Sequence, residues 1–398
     1  MKSLTSFLHS EVAQDAAQEP FIQDIEAIAG SIPEDVIYVR TGGTEGLFKQ
    51  QYFAGGKLSI PQPVRLLTSG KSNSLAASME ILSFLRRNGL RGEILHGSPE
   101  YIAERIMHPG EVVSGDSLVS DVRPGRILEG ERLGVVGKPS DWLISSDVDC
   151  AKAKEVLGLE LIDIPMEELL EEIANHSHPS VDLPELNEPK YGKHIPESDL
   201  SDALDIYGAL RRIIGKYSLN GLTIRCFDLL TAVHNTGCMA LALLNSEGFT
   251  ATCEGDVPAM ISMTVARKLT GCSGFQANLS QIAGDDLLFA HCTLPLSMAR
   301  RWVYDTHFES GFGVAVHGEI PEGPVTIFKL SPDFDKAFVF EGEIRSNDYQ
   351  DNLCRTQIHV CAPGAAPYFL TSSIGNHHII IPGHVARDLK GIITAQAR

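Results

Sequence analysis

Three short segments of this chain place metal-binding and acid–base side chains where elements of secondary structure meet. Cys253-Glu254-Gly255-Asp256-Val257-Pro258 sets a carboxylate where a strand ends and a helix begins, Ala290-His291-Cys292 closes an apolar run, and Gly375-Asn376-His377-His378 opens one. One carboxylate and two neutral imidazoles suit Mn²⁺ or another divalent transition metal, whereas Mg²⁺ asks for more oxygen ligands. Asp256 is placed to cap the helix that starts near Val257 and Pro258, with Gly271 as its stop. In His377-His378-Ile379-Ile380-Ile381 strand alternation sends the two imidazoles to opposite faces, so one faces a site and the other is structural.

The elements that would carry these residues follow from hydrophobic periodicity. Asp35 to Arg40, with Val36, Ile37, Tyr38 and Val39, reads as a strand running into Thr41-Gly42-Gly43-Thr44-Glu45-Gly46. Val64 to Leu67 is a second strand, the turn Ser69 to Ser74 leads into a helix over 75–87, and Gly92 to His96 is the next strand. Such βαβ units imply a parallel sheet covered by helices. The pattern restarts at Arg132 with strands over 133–136 and 161–164 and an acidic helix face at Glu167, Glu168, Glu171 and Glu172. Helix 199–216, strand 222–227, helix 237–244, strand 249–253 and helix 257–269 follow. Beyond His291 short β-type runs between Gly and Pro turns predict a β-rich domain. The expected organisation is α/β over 1–131, α/β over 132–291 and β-rich over 292–398, with 176–195 a long connection.

Ligands of doubly wound sheets bind outside the carboxyl ends of the strands, which is where Glu254 is expected. Gly70-Lys71-Ser72 resembles the end of a P-loop, but Arg65 occupies the required earlier glycine position, so no nucleotide site is assigned. The Ser69 to Ser74 turn can instead offer N–H groups and hydroxyls to a sugar or an anion, or simply cap the helix that follows.

At 398 residues the chain exceeds what one hydrophobic core usually serves. The hydrophobic fraction of 43% and charged fraction of 21% are those of a globular protein. A net charge of −18 argues against a nucleic-acid surface. The eight cysteines contain no C-x-x-C pair and read as reduced thiols. No apolar run has the length of a signal sequence or of a membrane span, so the expectation is a cytoplasmic protein with no membrane partner.

In this order, Gly42-Gly43-Thr44-Glu45, Asn73-Ser74-Leu75 with Glu80, Pro139-Ser140-Asp141-Trp142, Cys253-Glu254-Gly255-Asp256, Ala290-His291-Cys292 and Gly375-Asn376-His377 resemble the L-fucose isomerase and L-arabinose isomerase superfamily, especially its shorter fucose isomerase-like members. The resemblance implies two Rossmann-like domains, a C-terminal barrel-like domain, and a homo-oligomer, trimer or hexamer, with active sites at subunit interfaces. It also implies Mn²⁺-assisted aldose–ketose isomerisation of a sugar through an enediol, with Glu254 as acid/base and metal ligand, His377 as ligand, and His291 as the ligand of the arabinose branch. Asp256 joins the expected catalytic residues, and Gly43, Thr44, Glu45, Asn73, Ser74, Trp142 and Asn376 the substrate contacts. One position departs from the family pattern: Asn278 stands where a second carboxylate is expected. An amide can ligate a metal but is no base. Asp228, Asp256 and Asp286 are the candidate replacements; otherwise the protein is a non-catalytic sugar-binding homologue or performs a different carbon-acid reaction.

Overall fold

The computed structural model describes residues 1–4, 19–110, 113–183 and 194–394. Part of the expected connection over 176–195 lies outside the described residues.

The apolar strands Val36–Val39 and Val64–Leu67 pair in parallel with each other, with Lys2–Leu4 on one side and Gly92–Leu95 on the other. A sheet with helices on its faces buries its strands on both sides, and all four residues of Val36–Val39 are buried. A second four-stranded parallel sheet has the order Thr250–Thr252, Gly221–Ile224, Arg132–Val136 and Glu160–Ile164. In the acidic helix Met166–Ile173, Glu168 and Glu172 pair with Lys216 and Arg212 of the long helix Glu197–Tyr217.

The third sheet closes on itself. Gly323–Leu330, His378–Pro382, Phe275–Ala283, Asp286–His291, Thr356–Cys361 and Lys336–Asp348 pair antiparallel in that order, and the last pairs again with the first. Val119–Asp121, from the N-terminal third of the sequence, adds to the outside of Lys336–Asp348. The barrel therefore begins at Phe275 rather than after residue 291. The run over 286–291 looks like the end of an α/β unit because its buried residues are continuously apolar, but it pairs with Phe275–Ala283 and Thr356–Cys361.

Shared cores lock these parts together. Leu75 and Leu82 of helix Ser74–Arg87 join Phe275, Leu279 and Phe289 of the barrel in one hydrophobic cluster. Met260 and Met263 of helix Val257–Thr270 join Phe328 and Ile379 in another. A helix following a strand of each parallel sheet is thereby packed against the barrel. No helix among the described residues is long and apolar enough to cross a membrane.

Candidate metal centre and substrate cleft

Strand Thr250–Thr252 ends two residues before Glu254, which adopts φ 65°, and Gly255 follows at φ 68°. Two successive left-handed residues turn the chain sharply; for a non-glycine residue this is a strained conformation found preferentially at functional sites. Glycine is required at 255 because a Cβ there would lie 2.7 Å from the Lys138 carbonyl oxygen. The turn is tied down by Ser140 N–H, which donates to the Glu254 carbonyl at 3.0 Å. Asp256 then caps helix Val257–Thr270, its Oδ1 accepting from Ala259 N–H at 2.7 Å.

Glu254, His291 and His377 converge, with ligand atoms within 4.8 Å of one another. His291 ends its strand with Nδ1 at 2.8 Å from Thr293 Oγ1, leaving Nε2 for the centre. His377 Nδ1 donates to Asp256 Oδ2 at 2.8 Å, while its Nε2 is buried, makes no hydrogen bond and lies 3.4 Å from Glu254 Oε1. A carboxylate behind a histidine fixes the tautomer and aims the free nitrogen, the usual support of a metal-bound imidazole. The other Glu254 oxygen, Oε2, accepts from the Trp142 indole N–H at 2.7 Å. The buried, unsatisfied Nε2 and the mixed N/O donor set fit a divalent transition metal.

The charges agree with this arrangement. Burial alone would raise Glu254, but His377, His291 and the Trp142 hydrogen bond outweigh it and hold the carboxyl below its ordinary range. Burial and the neighbouring His377 push His291 down to about 4, so it is neutral and able to ligate. His377 goes the other way. Burial opposes its charge, yet the Glu254 carboxylate and the Asp256 hydrogen bond carry it up to about 10. A cation at this centre would take the place of that proton.

Glu254 also lines a cleft together with Gly42, Gly43, Glu45, Asn73, Ala76, Ala77 and Trp142, and with Phe227, Asn278, Glu309 and Asn376. Four buried oxygens on its lining residues have no hydrogen-bond partner: Glu45 Oε2, Asn73 Oδ1, Asn278 Oδ1 and Asn376 Oδ1. Asn73 takes the N-cap position of helix Ser74–Arg87 at φ 57°, but its side chain makes no capping bond. Its amide N–H₂ instead donates to Glu309 Oε1 at 2.6 Å; because a carboxylate only accepts, this fixes the amide with its oxygen turned away.

Of the residues expected from sequence, Glu254, His291 and His377 form the centre, and Gly43, Glu45, Asn73, Trp142, Asn278 and Asn376 line the cleft. Thr44 and Ser74 do not. Thr44 Oγ1 donates to the Thr41 carbonyl at 2.8 Å, and the Ser74 hydroxyl accepts from Thr68 Oγ1 at 2.6 Å. Both hydroxyls shape the turns from behind. Asp256 is fully buried, does not line the cleft, and meets His377 Nδ1 instead. Asp228 and Asp286 cannot stand in for a second carboxylate, since Asp228 pairs with Arg225 and Asp286 with His359, and neither lines the cleft. His378 is structural, as alternation requires: its Nδ1 meets the Asn376 carbonyl at 2.8 Å and its Nε2 the Tyr368 hydroxyl at 2.9 Å. Gly42, Gly43 and Glu45 from the first turn and Asn73 from the second line the same cleft as Glu254 within one chain.

Sequence reasoning missed Glu309, Thr293 and Lys329. The Lys329 ammonium is fully buried and donates to the His377 carbonyl at 2.9 Å, and Gly375 makes room for it. Glu309 sits in a loop between strands Arg301–Asp305 and Ala315–Glu319, and a carboxylate flanked by Phe308 and Phe312 was its only signal.

No family model matches the chain. It is 22% identical over 340 residues to proteins named sulfoquinovose isomerase from Priestia aryabhattai and Priestia megaterium, the match covering 80% of this chain and 73% of each relative.

Proposed function

We propose that this chain is a metal-dependent aldose–ketose isomerase acting on an uncharged sugar. The observation that carries the reading is the Glu254–His291–His377 triad, whose Glu254 lines a cleft with four unmet acceptor oxygens. The similarity to two sugar isomerases supports the reaction class. Glu254, His291 Nε2 and His377 Nε2 would hold the cation, and Mn²⁺ suits that donor set. When bound, it supplies Lewis-acid polarisation that acidifies the proton on C2 of the open-chain sugar.

The protein side chains do the rest. Glu254, ionised and oriented by the Trp142 N–H, moves the C2 proton to C1. The amide oxygens of Asn73, Asn278 and Asn376 accept from sugar hydroxyls, which fixes the carbon chain over Glu254. Trp142 and Phe227, packed edge to face at 4.8 Å, provide an apolar wall for C–H faces.

Charge narrows the substrate. Among the described residues the cleft is lined by the carboxyls of Glu45, Glu254 and Glu309 and by no Lys or Arg. A sulfonate, as sulfoquinovose carries, would find carboxyls and no Lys or Arg among those lining residues to pair it. The reading is tested by NMR in D₂O with Mn²⁺-loaded protein and a panel of aldoses and ketoses that includes sulfoquinovose. Deuterium should enter C2 of an uncharged aldose and be lost with Glu254→Gln. Retained metal with no exchange in any sugar would replace the reading by a non-catalytic binding role. Preferential exchange in sulfoquinovose would refute the charge argument.

A further inference from the structure

Moving a carbonyl from C1 to C2 needs two proton paths, one between carbons and one between oxygens. Glu254 can serve the first. Position 278, where the second carboxylate was expected, holds an amide that cannot titrate. Glu45 opens helix Glu45–Tyr52 directly after the tight turn at Gly43, which has φ 71°. It is 2% exposed, lines the same cleft as Glu254, and its Oε2 is buried without a partner.

We propose that Glu45 is the second acid–base residue of this site, giving a proton to O1 of the sugar and taking one from O2. This assignment rests on the isomerase reading. An acid in the first turn of a helix is ordinarily an exposed anion favoured by the helix dipole. Glu45 is the opposite case. Burial drives its carboxyl well above the ordinary range, the charges of Glu80, Glu254 and Glu309 push it further, and a hydrogen bond from its own backbone N–H opposes them too weakly. The shift favours the protonated form, which has a hydroxyl proton to give. A sugar oxygen in the cleft would give this unmet buried group a partner. Two carboxyls that line one cleft in different surroundings can divide base and acid roles.

The protons balance. The C2–H bond breaks and its proton goes to Glu254, while the bond pair forms C1=C2. The C1=O π pair becomes a lone pair on O1, which takes the Glu45 proton, giving the enediol and an ionised Glu45. The O2 hydroxyl then returns a proton to Glu45 as C2=O forms, and C1 takes the proton held by Glu254. Both carboxyls end as they began. Glu309, fixed by Asn73, is a positioning residue that helps keep Glu45 protonated.

The test uses the Mn²⁺-loaded protein and whichever sugar the wild type isomerises. Glu45→Gln keeps a neutral side chain of the same shape but cannot transfer a proton. Its kcat should fall about 10²–10⁴-fold with metal content unchanged. Glu45→Ala should fall as far and regain about tenfold with added formate, a small acid able to enter the vacated space. Glu45→Gln turnover within about threefold of wild type, or a Glu45→Ala loss that formate does not relieve, overturns the assignment. A wild type that exchanges hydrogen in no sugar removes the isomerase reading and this assignment together. An active wild type beside an unaffected Glu45→Gln removes the assignment alone.

Discussion

The two walls of the cleft differ in that only one carries the candidate metal-binding groups. On the wall made by strand Thr250–Thr252 and the barrel, each metal-centre side chain is braced: Glu254 by Trp142, His377 by Asp256 and His291 by Thr293. The wall made by the N-terminal strand ends carries no metal-centre group: Glu45 and Asn73 each hold a buried oxygen with no protein partner, as Asn278 and Asn376 do on the barrel side. Braced donors of fixed charge suit an ion, which tolerates little error in ligand position. Unmet acceptors suit hydroxyl groups, which bring their own donors. Cation binding should therefore depend on the first wall alone, and turnover on both.

The sharpest way to break this comparison is calorimetric titration with Mn²⁺. His377→Ala should cost more affinity than the about 10–100-fold that loss of a supporting partner costs. Asn73→Ala and Glu45→Gln should leave affinity within about threefold, since neither touches the triad. Equal losses on both walls would show that the centre extends across the cleft. Asp256→Asn comes next. Asparagine caps a helix as well as aspartate does, so helix Val257–Thr270 should persist while metal affinity falls about 10–100-fold.

Much of the first wall was legible in the sequence because local rules position it. A strand, a turn with glycine, an Asp cap followed by Pro258 and a Gly271 stop place Glu254 and Asp256 without reference to the rest of the chain. Strand alternation separates His377 from His378 by the same local logic. The second wall depends on long-range packing. Nothing near Asn73 in sequence announces Glu309, 236 positions away, as the partner of its amide. Thr44 and Ser74 look the same in sequence as residues that face a ligand, and only their bonds to Thr41 and Thr68 turn them inward. The start of the barrel was hidden because a continuously apolar strand fits a parallel sheet and a barrel equally well.

Trp142→Phe tests the bracing of Glu254 more gently. It removes one hydrogen bond to a carboxylate while keeping an aromatic ring against Phe227. Such a bond is worth about 1.5–3 kcal/mol. The expected result is a fall in kcat of about tenfold with metal retained, because the cation still holds Glu254 in place. A loss of metal equal to that of His377→Ala would mean that the indole supports the centre itself.

The smallest effect concerns Glu80, which lies behind the N-terminal wall and reaches across to the other side. Its Oε1 accepts from Ser145 N–H at 2.7 Å and Ser146 Oγ at 3.1 Å, and the side chain is fully buried. Burial, then the Asp256 charge, raise its carboxyl to about 7, against the lowering effects of the Ser145 bond, Lys329 and Ser146. The folded protein therefore keeps this proton at pH values where the unfolded chain, near 4.5, has lost it. Stability from this group is full below about pH 4.5 and falls as pH rises to about 7, by at most about 3 kcal/mol. Glu80→Gln retains an oxygen for Ser145 and Ser146 and has no proton to lose. Urea unfolding should show the variant no more stable than wild type at pH 4.5 and more stable by about 1–3 kcal/mol at pH 8. The pH dependence shared by both proteins cancels in that difference. A difference that stays constant with pH would mean Glu80 is ionised throughout, and the N-terminal wall would then be an anionic surface rather than a neutral one.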